Sequence, residues 1–262
     1  MIKKLSIFGF LVVAILTGYL IYGNSKKEAT KILGSVNSSP SPQGVNQTNQ
    51  INLNYNNQNL TVAWFNIDSP EKLTLIPNFD EKFSANVVKE KYGCKFLVNA
   101  GYYSKDAKPI GLFIADGQTI SRWQKNYLLN GIFSINKLLT PRITRTEPKD
   151  LLTIAIQTGP LIKENATYLQ ISAGNSNPDR RVLAAVTGEN KTVFLIIYDK
   201  NSVFLGPQLS NLPGILKIFE EKSGLALADI INLDGGTASA FISPEVSLPE
   251  ISPVGSFFCL KS

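Results

Sequence analysis

The sequence contains no histidine in its 262 residues. Histidine is the commonest general base, a frequent zinc ligand and the central member of Ser-His-Asp and Cys-His catalytic arrangements. Those arrangements are therefore excluded. Any chemistry must use carboxylates, arginine, lysine, tyrosine, hydroxyls, amides or backbone groups.

Charged residues are also few and unevenly placed. They make up 18% of the chain, and the formal net charge is +6. Residues 1–31 hold five lysines and one glutamate, so the rest of the chain carries a net charge of only +2. The basic character therefore belongs to the N-terminus, and we expect no nucleic-acid partner.

The N-terminal lysines border an apolar segment without a charge. Residues 5–22 read LSIFGFLVVAILTGYLIY and follow Lys3 and Lys4. About 20 apolar residues typically cross a bilayer, so the segment is barely long enough. No Ala-x-Ala-like cleavage site follows it, which favours a signal anchor over residues 1–25, with a cleaved signal peptide as the alternative. We expect a membrane-anchored protein whose domain faces the periplasm or the cell exterior.

The segment after the apolar run is polar but uncharged, with no charged residue between Lys31 and Asp68. Its centre, residues 34–50, consists largely of Ser, Asn, Gln, Pro and Gly, which bury too little apolar surface to fold. We therefore predict a disordered polar linker over residues 26–59 and a globular domain over residues 60–262. A chain that begins near Gln58 is expected to fold by itself.

Cysteine is scarce, since the chain has only Cys94 and Cys259. An even number of cysteines in an exported domain permits a disulfide, which persists in that compartment. Two buried free thiols are the alternative, because the sequence does not place the residues within bonding distance. We predict that the two cysteines pair.

The pattern of residues 60–262 indicates an α+β protein. Short runs rich in β-branched and aromatic residues outnumber the helical patterns, and hairpin turns join several of them. We predict a single domain with a mixed, largely antiparallel β-sheet and a few helices, preceded by the N-terminal membrane anchor helix. The predicted helices are 80–92 and 211–223, and the predicted strands are 60–67, 95–99, 110–115, 119–122, 151–157, 181–186, 192–198, 229–233, 238–242 and 256–260.

Three predicted strands end in polar corners that contain glycine. Glycine lets backbone amides approach a ligand closely, and the sheet fixes the polar side chains beside it. Each corner alone is typical of an ordinary turn, but together on one sheet they predict a polar pocket that tolerates anions. The corners are Asn99-Ala100-Gly101-Tyr102-Tyr103, Gln157-Thr158-Gly159-Pro160 and Asn232-Leu233-Asp234-Gly235-Gly236.

The order of these corners resembles the phosphodiester glycosidase family, which includes enzymes that remove N-acetylglucosamine from a phosphate on mannose. Residues 99–103 resemble the family's Asn-Gly-Gly-Phe-Phe motif, and residues 109–112 with Asp116-Gly117 resemble its Pro-x-Gly-Leu segment and turn. Residues 157–161 resemble Gln-Ser-Gly-Pro-x-Leu, and residues 232–239 closely resemble Asn-Leu-Asp-Gly-Gly-x-Ser. The resemblance extends from about residue 60 to the C-terminus.

One family motif, Arg-Thr-Ala-Ile-Gly, is only partly present. At residues 181–185 the arginine and the alternation of apolar residues remain, but Ala185 stands where the family has glycine. Ala100 likewise replaces a glycine in the first corner. These two departures favour the alternative that the domain keeps the fold without the activity.

The chemistry of a sugar 1-phosphodiester explains why such a site needs no histidine. The leaving group is a phosphate monoester, already a stable anion that needs little protonation. A cation for the phosphate and one carboxylate for the oxocarbenium-like centre or the attacking water suffice. Arg181 fits the first role because its guanidinium matches phosphate oxygens, and Asp234 fits the second. Arg180 is an alternative for the first role, and a surface ion pair is an alternative role for Arg181.

The remaining candidate residues are expected to bind substrate. Asn99 and Gln157 offer amides for hydroxyls or an acetamido group, and Tyr102 offers a ring for stacking. No cofactor and no metal ligand is predicted, although the sequence leaves a divalent cation open. The other predicted substrate-binding residues are Gly101, Thr158, Gly159, Asn232, Gly235, Gly236, Thr237 and Ser239.

Two functions from different classes follow. The first is a hydrolase that cleaves a sugar 1-phosphodiester in an envelope polysaccharide or a related glycoconjugate. The alternative is a non-catalytic glycan-binding or envelope-organising module with the same fold. Convergence of Asp234, Arg181 and Asn99 at one place in the structure would favour the hydrolase.

Overall fold

The computed structural model describes residues 48–172 and 176–262. The predicted anchor of residues 1–25 and most of the predicted linker lie outside these ranges. None of the helices within them reaches the length and hydrophobicity that a bilayer crossing requires.

The described residues form mostly β-strands, with two α-helices. The helices are α1 (Ala85–Tyr92) and α2 (Leu212–Ser223). The strands are β1 (Asn49–Tyr55), β2 (Gln58–Ile67), β3 (Leu73–Pro77), β4 (Cys94–Asn99), β5 (Phe113–Ala115), β6 (Gln118–Ser121), β7 (Gly131–Asn136), β8 (Pro141–Thr144), β9 (Leu152–Thr158), β10 (Leu161–Glu164), β11 (Thr167–Tyr168), β12 (Arg181–Thr187), β13 (Thr192–Asp199), β14 (Leu227–Asn232), β15 (Phe241–Ile242), β16 (Ser247–Leu248) and β17 (Ser256–Lys261).

These strands form three sheets. The first has the order β1-β2-β13-β12-β14-β10-β11, the second β16-β15-β4-β17-β3, and the third β6-β5-β9-β7-β8. Every strand pair in the described residues is antiparallel. The expectation of one mixed sheet is therefore wrong, although the largely antiparallel character is confirmed. Open sheets seldom exceed about ten strands, so this many strands divide into several sheets.

A cluster of phenylalanines joins the three sheets. Phe65 and Phe194 belong to the first sheet, Phe96 and Phe258 to the second, and Phe133 to the third. Phe65 lies 4.5 Å from Phe96, and Phe258 lies 4.9 Å from Phe194 and 5.4 Å from Phe133, measured between ring centroids. The three sheets therefore share one core, which burial of these large rings stabilises.

The two helices cover the outer faces of the sheets. Strand β12 has one face towards the shared core and the other towards α2, because successive side chains of a strand point to opposite faces. Val182 and Ala184 face the core, and Leu183 faces α2. Phe219 of α2 meets Trp64 edge-to-face at 5.0 Å. Helix α1 packs on the second sheet, in a cluster that contains Val88.

Both predicted helices are present, one of them shorter than predicted. Helix α1 begins at Ala85 rather than at residue 80, because Ser84 caps it by accepting from the backbone nitrogen of Val87. The helices end at Gly93 and Gly224, whose φ angles of +67° and +72° favour glycine. Helix α2 has the predicted span to within one residue.

The strand predictions hold in most places and fail at two kinds of position. The hairpins around residues 116–117 and 188–190 are confirmed. Residues 236–238 form a 3-10 turn, so the strand predicted over 238–242 is reduced to β15. Sequence analysis also missed several strands that contain few consecutive β-branched residues or are very short, namely β1, β3, β7, β8, β10, β11 and β16.

The predicted linker boundary at residue 59 is wrong. Residues 49–55 form β1, which pairs with β2 from Asn49 opposite Trp64 to Tyr55 opposite Gln58. Leu53 is buried, and Tyr55 packs closely on Gly214 of α2. The polar composition of this segment misled the prediction, because its few apolar residues alternate and bury a single face.

The predicted pairing of the cysteines is confirmed. Cys94 and Cys259 form a disulfide with their Cα atoms 5.4 Å apart. They lie on the adjacent strands β4 and β17 and are buried. The bond closes a loop over a sequence separation of 165 residues.

The structure predicts that a chain beginning at Gln58 is less stable than one beginning at Thr48. The shorter chain lacks β1 and so exposes the edge of β2 and the surface that Leu53 covers. We expect the free energy of unfolding to fall by about 2–4 kcal/mol, mostly from lost apolar burial. Urea unfolding of the two chains measures the difference. Equal stabilities would show that β1 contributes nothing to the domain.

Removal of the disulfide should also destabilise the domain. We expect Cys94→Ala/Cys259→Ala to lower the free energy of unfolding by about 3–5 kcal/mol, because the bond restricts a long loop in the unfolded state. Thermal and urea unfolding of the double variant test this expectation. Wild-type protein measured with and without reductant is the matched comparison, and no change in either experiment contradicts it.

Candidate functional site

The candidate site lies at one end of the seven-stranded sheet, where three neighbouring strands begin or end. Strand β14 ends at Asn232, opposite Leu183 near the start of β12. On its other side, β10 begins at Leu161, which pairs with Ile231. Residues that border these three strand ends therefore come together, and they include Gly159, Arg180, Arg181 and Asp234.

Asn99 joins this end of the sheet to the second sheet. It is fully buried, its Nδ2 donates to the backbone oxygen of Asp234 at 2.6 Å, and its Oδ1 accepts from the backbone nitrogen of Ala240 at 2.9 Å. The backbone nitrogen of Asp234 donates to the oxygen of Ala100 at 3.2 Å. The first and last corners are thus held directly against each other.

Gln157 fixes the loops that approach from the third sheet. Its Oε1 accepts from the backbone nitrogens of Leu112 at 3.1 Å and Gln124 at 3.0 Å. Its Nε2 donates to the backbone oxygens of Gln124 at 2.5 Å and Leu129 at 2.9 Å. Gly111 lies beside it, and a Cβ there would fall 2.1 Å from Oε1. All of the hydrogen-bonding atoms of this buried amide therefore serve the backbone.

Asn232 and Tyr102 connect the last corner to the middle one. The buried Nδ2 of Asn232 donates to the Tyr102 hydroxyl at 2.9 Å and to the oxygen of Gly159 at 3.0 Å. The same hydroxyl lies 3.3 Å from the oxygen of Gly159 and 3.2 Å from that of Leu233. Thr158 Oγ1 donates to the backbone oxygen of Asn232 at 2.8 Å. The hydroxyl of Tyr102 thus links the middle corner to the last one through hydrogen bonds.

Asp234 supplies the carboxyl group at the centre of the site. Its Oδ1 accepts from the backbone nitrogen of Gly235 at 2.9 Å, and no basic side chain in the described residues forms an ion pair with it. Removal from water raises the pKa of Asp234 to about 7, and the bond from Gly235 opposes this only in part. A carboxyl group that titrates near neutral pH can take up or release a proton in a reaction.

Two tyrosines lie within electrostatic reach of this carboxyl group. Burial raises the pKa of Tyr102, and the charge of Asp234 raises it further while Arg181 lowers it. Burial and then Asp234 also raise the pKa of Tyr103. Asp234, Arg181 and Asn99, which sequence analysis assigned to one site, are thus close together in the fold.

Arg181 is held with one side of its guanidinium directed at the last corner. Its Nε donates to the backbone oxygen of Pro207 at 3.0 Å, and Nη2 donates to that of Asn177. A Cβ added to Gly235 would lie 3.4 Å from Nη1. Burial lowers the pKa of Arg181, an effect that the neighbouring Asp179 opposes. Backbone oxygens therefore fix the guanidinium, and its Nη1 faces the site.

Arg180, the alternative phosphate ligand, is used by the protein itself. Its Nε donates to Ser239 Oγ at 2.5 Å, and Nη2 donates to the backbone oxygens of Ser239 and Pro249, each at 2.5 Å. Its Nη1 donates to the oxygen of Val203 at 3.3 Å. All three guanidinium nitrogens thus have protein acceptors, so Arg181 is the better candidate for binding an anion.

The glycines of the site serve different needs. Gly236 has a φ of +63°, and a Cβ there would lie 3.4 Å from Asp179 Oδ2. A Cβ at Gly235 would occupy the space in front of Arg181, whereas one at Gly159 would collide with the backbone oxygen of Leu128 at 2.3 Å. Gly236 thus provides a left-handed backbone conformation, Gly235 leaves the space next to Arg181 Nη1 free, and Gly159 allows two segments to pack.

Two other predicted residues lie at the margins of the site. A Cβ at Gly101 would be 3.4 Å from the backbone oxygen of Gln157, so this glycine allows the first and middle corners to approach. Thr237 is exposed, and its Oγ1 accepts from Ser252 Oγ at 2.8 Å. Thr237 therefore remains accessible to a ligand.

The structure corrects the direct substrate-binding role that was predicted for four residues. Their side chains are buried, and their polar atoms bond to backbone groups or, in one case, also to Arg180. A ligand would have to break these buried hydrogen bonds, which costs more free energy than binding to an exposed polar group. These four residues position the site instead, and they are Asn99, Gln157, Thr158 and Ser239.

Sequence analysis missed Asp179, the second carboxylate of the site. It lies in a loop without a recognisable motif, but it precedes the Arg180-Arg181 pair that was singled out. Its charge acts on Arg181, and its carboxylate borders Gly236. Within the described residues, at the site and away from it, no group of three carboxylate, cysteine or histidine side chains could hold a metal ion.

The departure at Ala185 lies away from the site. Ala185 is fully buried four residues into β12, in the cluster that packs against α2, and pairs with Ile230 and Val193. Its methyl group contributes to that cluster. Ala100, the other departure, is buried in the shared core and presents its backbone oxygen to Asp234.

Comparison with known proteins identifies the family. The model of the phosphodiester glycosidase family matches residues 92–257, so the chain belongs to this family. This span contains all three corners, Arg181 and Asp234. Comparison with curated proteins found no match.

Solved structures show the same fold. The catalytic domain of zebrafish N-acetylglucosamine-1-phosphodiester alpha-N-acetylglucosaminidase, auto-inhibited by its pro-peptide, is similar with a TM-score of 0.65 and 12% identity, over 85% of each chain. A hypothetical protein from Synechocystis is similar with a TM-score of 0.51 and 14% identity, over 80% of this chain and 61% of that one. At these identities the likeness concerns the fold alone.

The pKa of Asp234 leads to a prediction about stability. The folded-state pKa is about 7, above the ordinary value of 3.8. Between these values the unfolded chain loses its proton first, so ionisation progressively destabilises the folded protein as pH rises. We expect Asp234→Asn, which cannot ionise, to gain stability relative to wild type between pH 4 and 8, on the order of 2–4 kcal/mol. Urea unfolding across this range measures the gain, and parallel curves for the two proteins contradict it.

Proposed function

We propose that the protein hydrolyses sugar 1-phosphodiesters by cleaving the bond between the anomeric carbon and phosphate. The observations that carry this proposal are the carboxyl group of Asp234, which has no ion pair in the described residues, and the guanidinium of Arg181, which backbone oxygens fix with its Nη1 next to Gly235. Family membership supports the class of reaction. The zebrafish relative is named as a glycosidase for an N-acetylglucosamine 1-phosphodiester, and we propose a substrate of that kind here.

Arg181 supplies the positive charge that the substrate requires. The phosphodiester is an anion, and the phosphate monoester that leaves carries more charge. A guanidinium whose Nε and Nη2 are already held by backbone oxygens loses little conformational freedom when it binds that charge. Stabilisation of charge as it develops is commonly the largest contribution to such a reaction.

Asp234 supplies the group that acts at the sugar carbon. In its ionised form it can stabilise an oxocarbenium-like transition state or take a proton from the attacking water. Because its pKa is about 7, a substantial fraction of the carboxyl is ionised at neutral pH. The nearby hydroxyl of Tyr102 stays protonated, since burial raises its pKa, and it retains the bonds that hold the corner.

The position of the protein in the cell belongs to the same proposal. Residues 5–22 are apolar and follow two lysines, as in a signal anchor. We propose that the domain is attached to the membrane and faces the periplasm or the cell exterior. Its substrate would then be an envelope polysaccharide or a related glycoconjugate that carries sugar 1-phosphodiester bonds.

Two substitutions test the roles of the site residues. We expect Asp234→Asn to lower kcat by about 100- to 1000-fold on a synthetic sugar 1-phosphodiester, with the fold retained. Arg181→Lys should also lose most activity despite its positive charge, because lysine cannot make both backbone bonds and still face the phosphate. Release of the free sugar from a panel of sugar 1-phosphodiesters measures the rates.

Matched controls come from an exposed ion pair whose residues do not belong to the site, Arg142 and Asp150. Arg142→Lys and Asp150→Asn should leave the rates unchanged. Near-full activity of Asp234→Asn would remove that carboxyl group from the mechanism. Binding of a diester by wild-type protein without any release of sugar would instead support a glycan-binding module.

A further inference from the structure

Three loops expose large apolar side chains. They are the loop between β6 and β7, the loop after β13, and the segment before β17. Single exposed apolar residues are ordinary on a protein surface, whereas contiguous groups mark a surface that contacts a partner. These side chains, which we call the apolar rim, are Trp123, Tyr127 and Leu128 in the first loop, Val203, Phe204 and Leu205 in the second, and Ile251 in the third.

The first loop is attached to the candidate site by the middle corner. Gln157 bonds to both the backbone nitrogen and the backbone oxygen of Gln124, which follows Trp123. Gly159 packs on the backbone of Leu128. The exposed side chains of this loop therefore lie at the end of the third sheet that borders the site.

Arg180 holds the second and third loops at the same end. Its Nη1 donates to the backbone oxygen of Val203 at 3.3 Å, and its guanidinium carbon lies 5.8 Å from the ring centroid of Phe204. Its Nη2 donates to the backbone oxygen of Pro249 at 2.5 Å, two residues before Ile251. Arg180 precedes Arg181 in the chain, so both loops border the site.

The first and second loops also adjoin each other. Leu128 of the first loop and Leu209, just beyond the second, line one groove. Leu209 is two residues from Pro207, whose backbone oxygen accepts from Arg181. The apolar rim is therefore a group of neighbouring loops around the site, and not a set of scattered side chains.

The exposed aromatic residues are confined to this rim. Within the described residues, Trp123, Tyr127 and Phe204 are the exposed aromatic side chains, and the large apolar side chains exposed elsewhere are aliphatic. Leu138 and Leu151 lie beside the paired residues at the start of β9, roughly 20 Å along that strand from Thr158. The end of the third sheet away from the site thus lacks exposed aromatic rings.

Basic residues alternate with these apolar residues. Arg122 and Lys125 are exposed in the first loop and Lys200 in the second, and the sequences of residues 122–130 and 200–208 contain no acidic residue. In the third loop, Glu250 is partly buried and accepts from the backbone nitrogen of Ala85. The exposed charges of the rim are therefore positive.

This composition distinguishes between the possible kinds of partner. Aromatic rings at headgroup depth, aliphatic side chains and interspersed basic residues are typical of surfaces that lie on an anionic bilayer. Protein interfaces also favour aromatic residues, but they are depleted of lysine. The basic residues fit the phosphates of lipid headgroups, so the rim matches a membrane surface better than a protein surface.

We propose that the apolar rim lies on the surface of a lipid bilayer that contains anionic lipid, so that the candidate site faces the membrane. The rings of the rim enter the headgroup region, and Arg122, Lys125 and Lys200 contact lipid phosphates. Residues 23–47 span at most about 80 Å when extended. Attachment through the apolar residues 5–22 therefore leaves this face of the domain able to reach the bilayer. The inference concerns the position of the domain and does not depend on the proposed reaction.

Trp123 provides a direct test, because Trp64, the other tryptophan of the sequence, is buried against Phe219 of α2. The full chain is reconstituted in vesicles of phosphatidylcholine and phosphatidylglycerol with either brominated or ordinary acyl chains. Bromine quenches tryptophan only at short range, so we expect wild-type protein to lose most of its Trp123 emission in the brominated vesicles. Absence of this loss overturns the inference.

A relocated tryptophan separates contact through the rim from attachment through the N-terminus. In Trp123→Phe/Leu138→Trp the exposed tryptophan moves to the β7–β8 turn, where the side chain of Leu138 is 85% exposed. We expect brominated lipid to leave its emission unchanged. Quenching equal to that of wild type overturns the inference, because the N-terminus alone would then bring both surfaces to the bilayer.

Two pairs of substitutions test the rim itself. Leu128→Ser/Leu205→Ser should reduce the quenching of Trp123, whereas the control Leu138→Ser/Leu151→Ser should leave it unchanged, although its side chains are 85% and 71% exposed. Equal effects of the two pairs overturn the inference. If the rim pair loses its cooperative urea transition, Tyr127→Ser replaces it under the same criterion. Self-association of wild-type protein in detergent that the rim pair abolishes, without quenching in vesicles, would make the rim a protein interface and also overturn the inference.

Discussion

Three buried side-chain amides hold the candidate site together, and the rest of its geometry depends on them. Asn99 and Asn232 are the last residues of β4 and β14, and Gln157 is the penultimate residue of β9. Each bonds to backbone groups of another sheet or loop. Burial of an amide costs free energy unless its polar atoms are paired, and both polar atoms of Asn99 and Gln157 and the side-chain nitrogen of Asn232 have partners. These bonds therefore fix the relative positions of segments that are distant in sequence. The side chains of Asp234 and Arg181 do not have to hold these segments together.

This division of labour explains the electrostatics of the site. Asp234 has its backbone held on both sides by Asn99 and Ala100, so its carboxyl group needs no ion pair to stay in place. An unpaired carboxyl group in a poorly hydrated position keeps its proton up to nearly neutral pH. The guanidinium of Arg180 donates its hydrogen bonds to protein acceptors, so Arg181 is the arginine whose guanidinium is directed towards the corner at residues 232–236. The two adjacent arginines thus have different roles for a structural reason.

Much of the fold could be predicted from local patterns, and the failures have definite causes. Glycines at 93, 117 and 224 mark turns or helix ends that any context would respect. By contrast, β1 has the composition of a linker and becomes a strand only because β2 and α2 cover its few apolar residues. For the site, sequence order located the corners, but it assigned Gln157 and Asn99 to the ligand. Residue type indicates that a buried amide will make hydrogen bonds and does not indicate with which partner.

The sequence by itself determined the chemical repertoire: no histidine, one pair of cysteines, and three glycine-containing corners whose order resembles one family. These properties depend on residue identity and on short-range backbone preferences, which are local. Tertiary structure decided which atoms remain available to a substrate. That outcome depends on which groups from distant strands meet Asn99, Gln157 and the two arginines, and on how far burial removes Asp234 from water. Long-range packing sets both, so neither can be read from the neighbours of a residue in the chain.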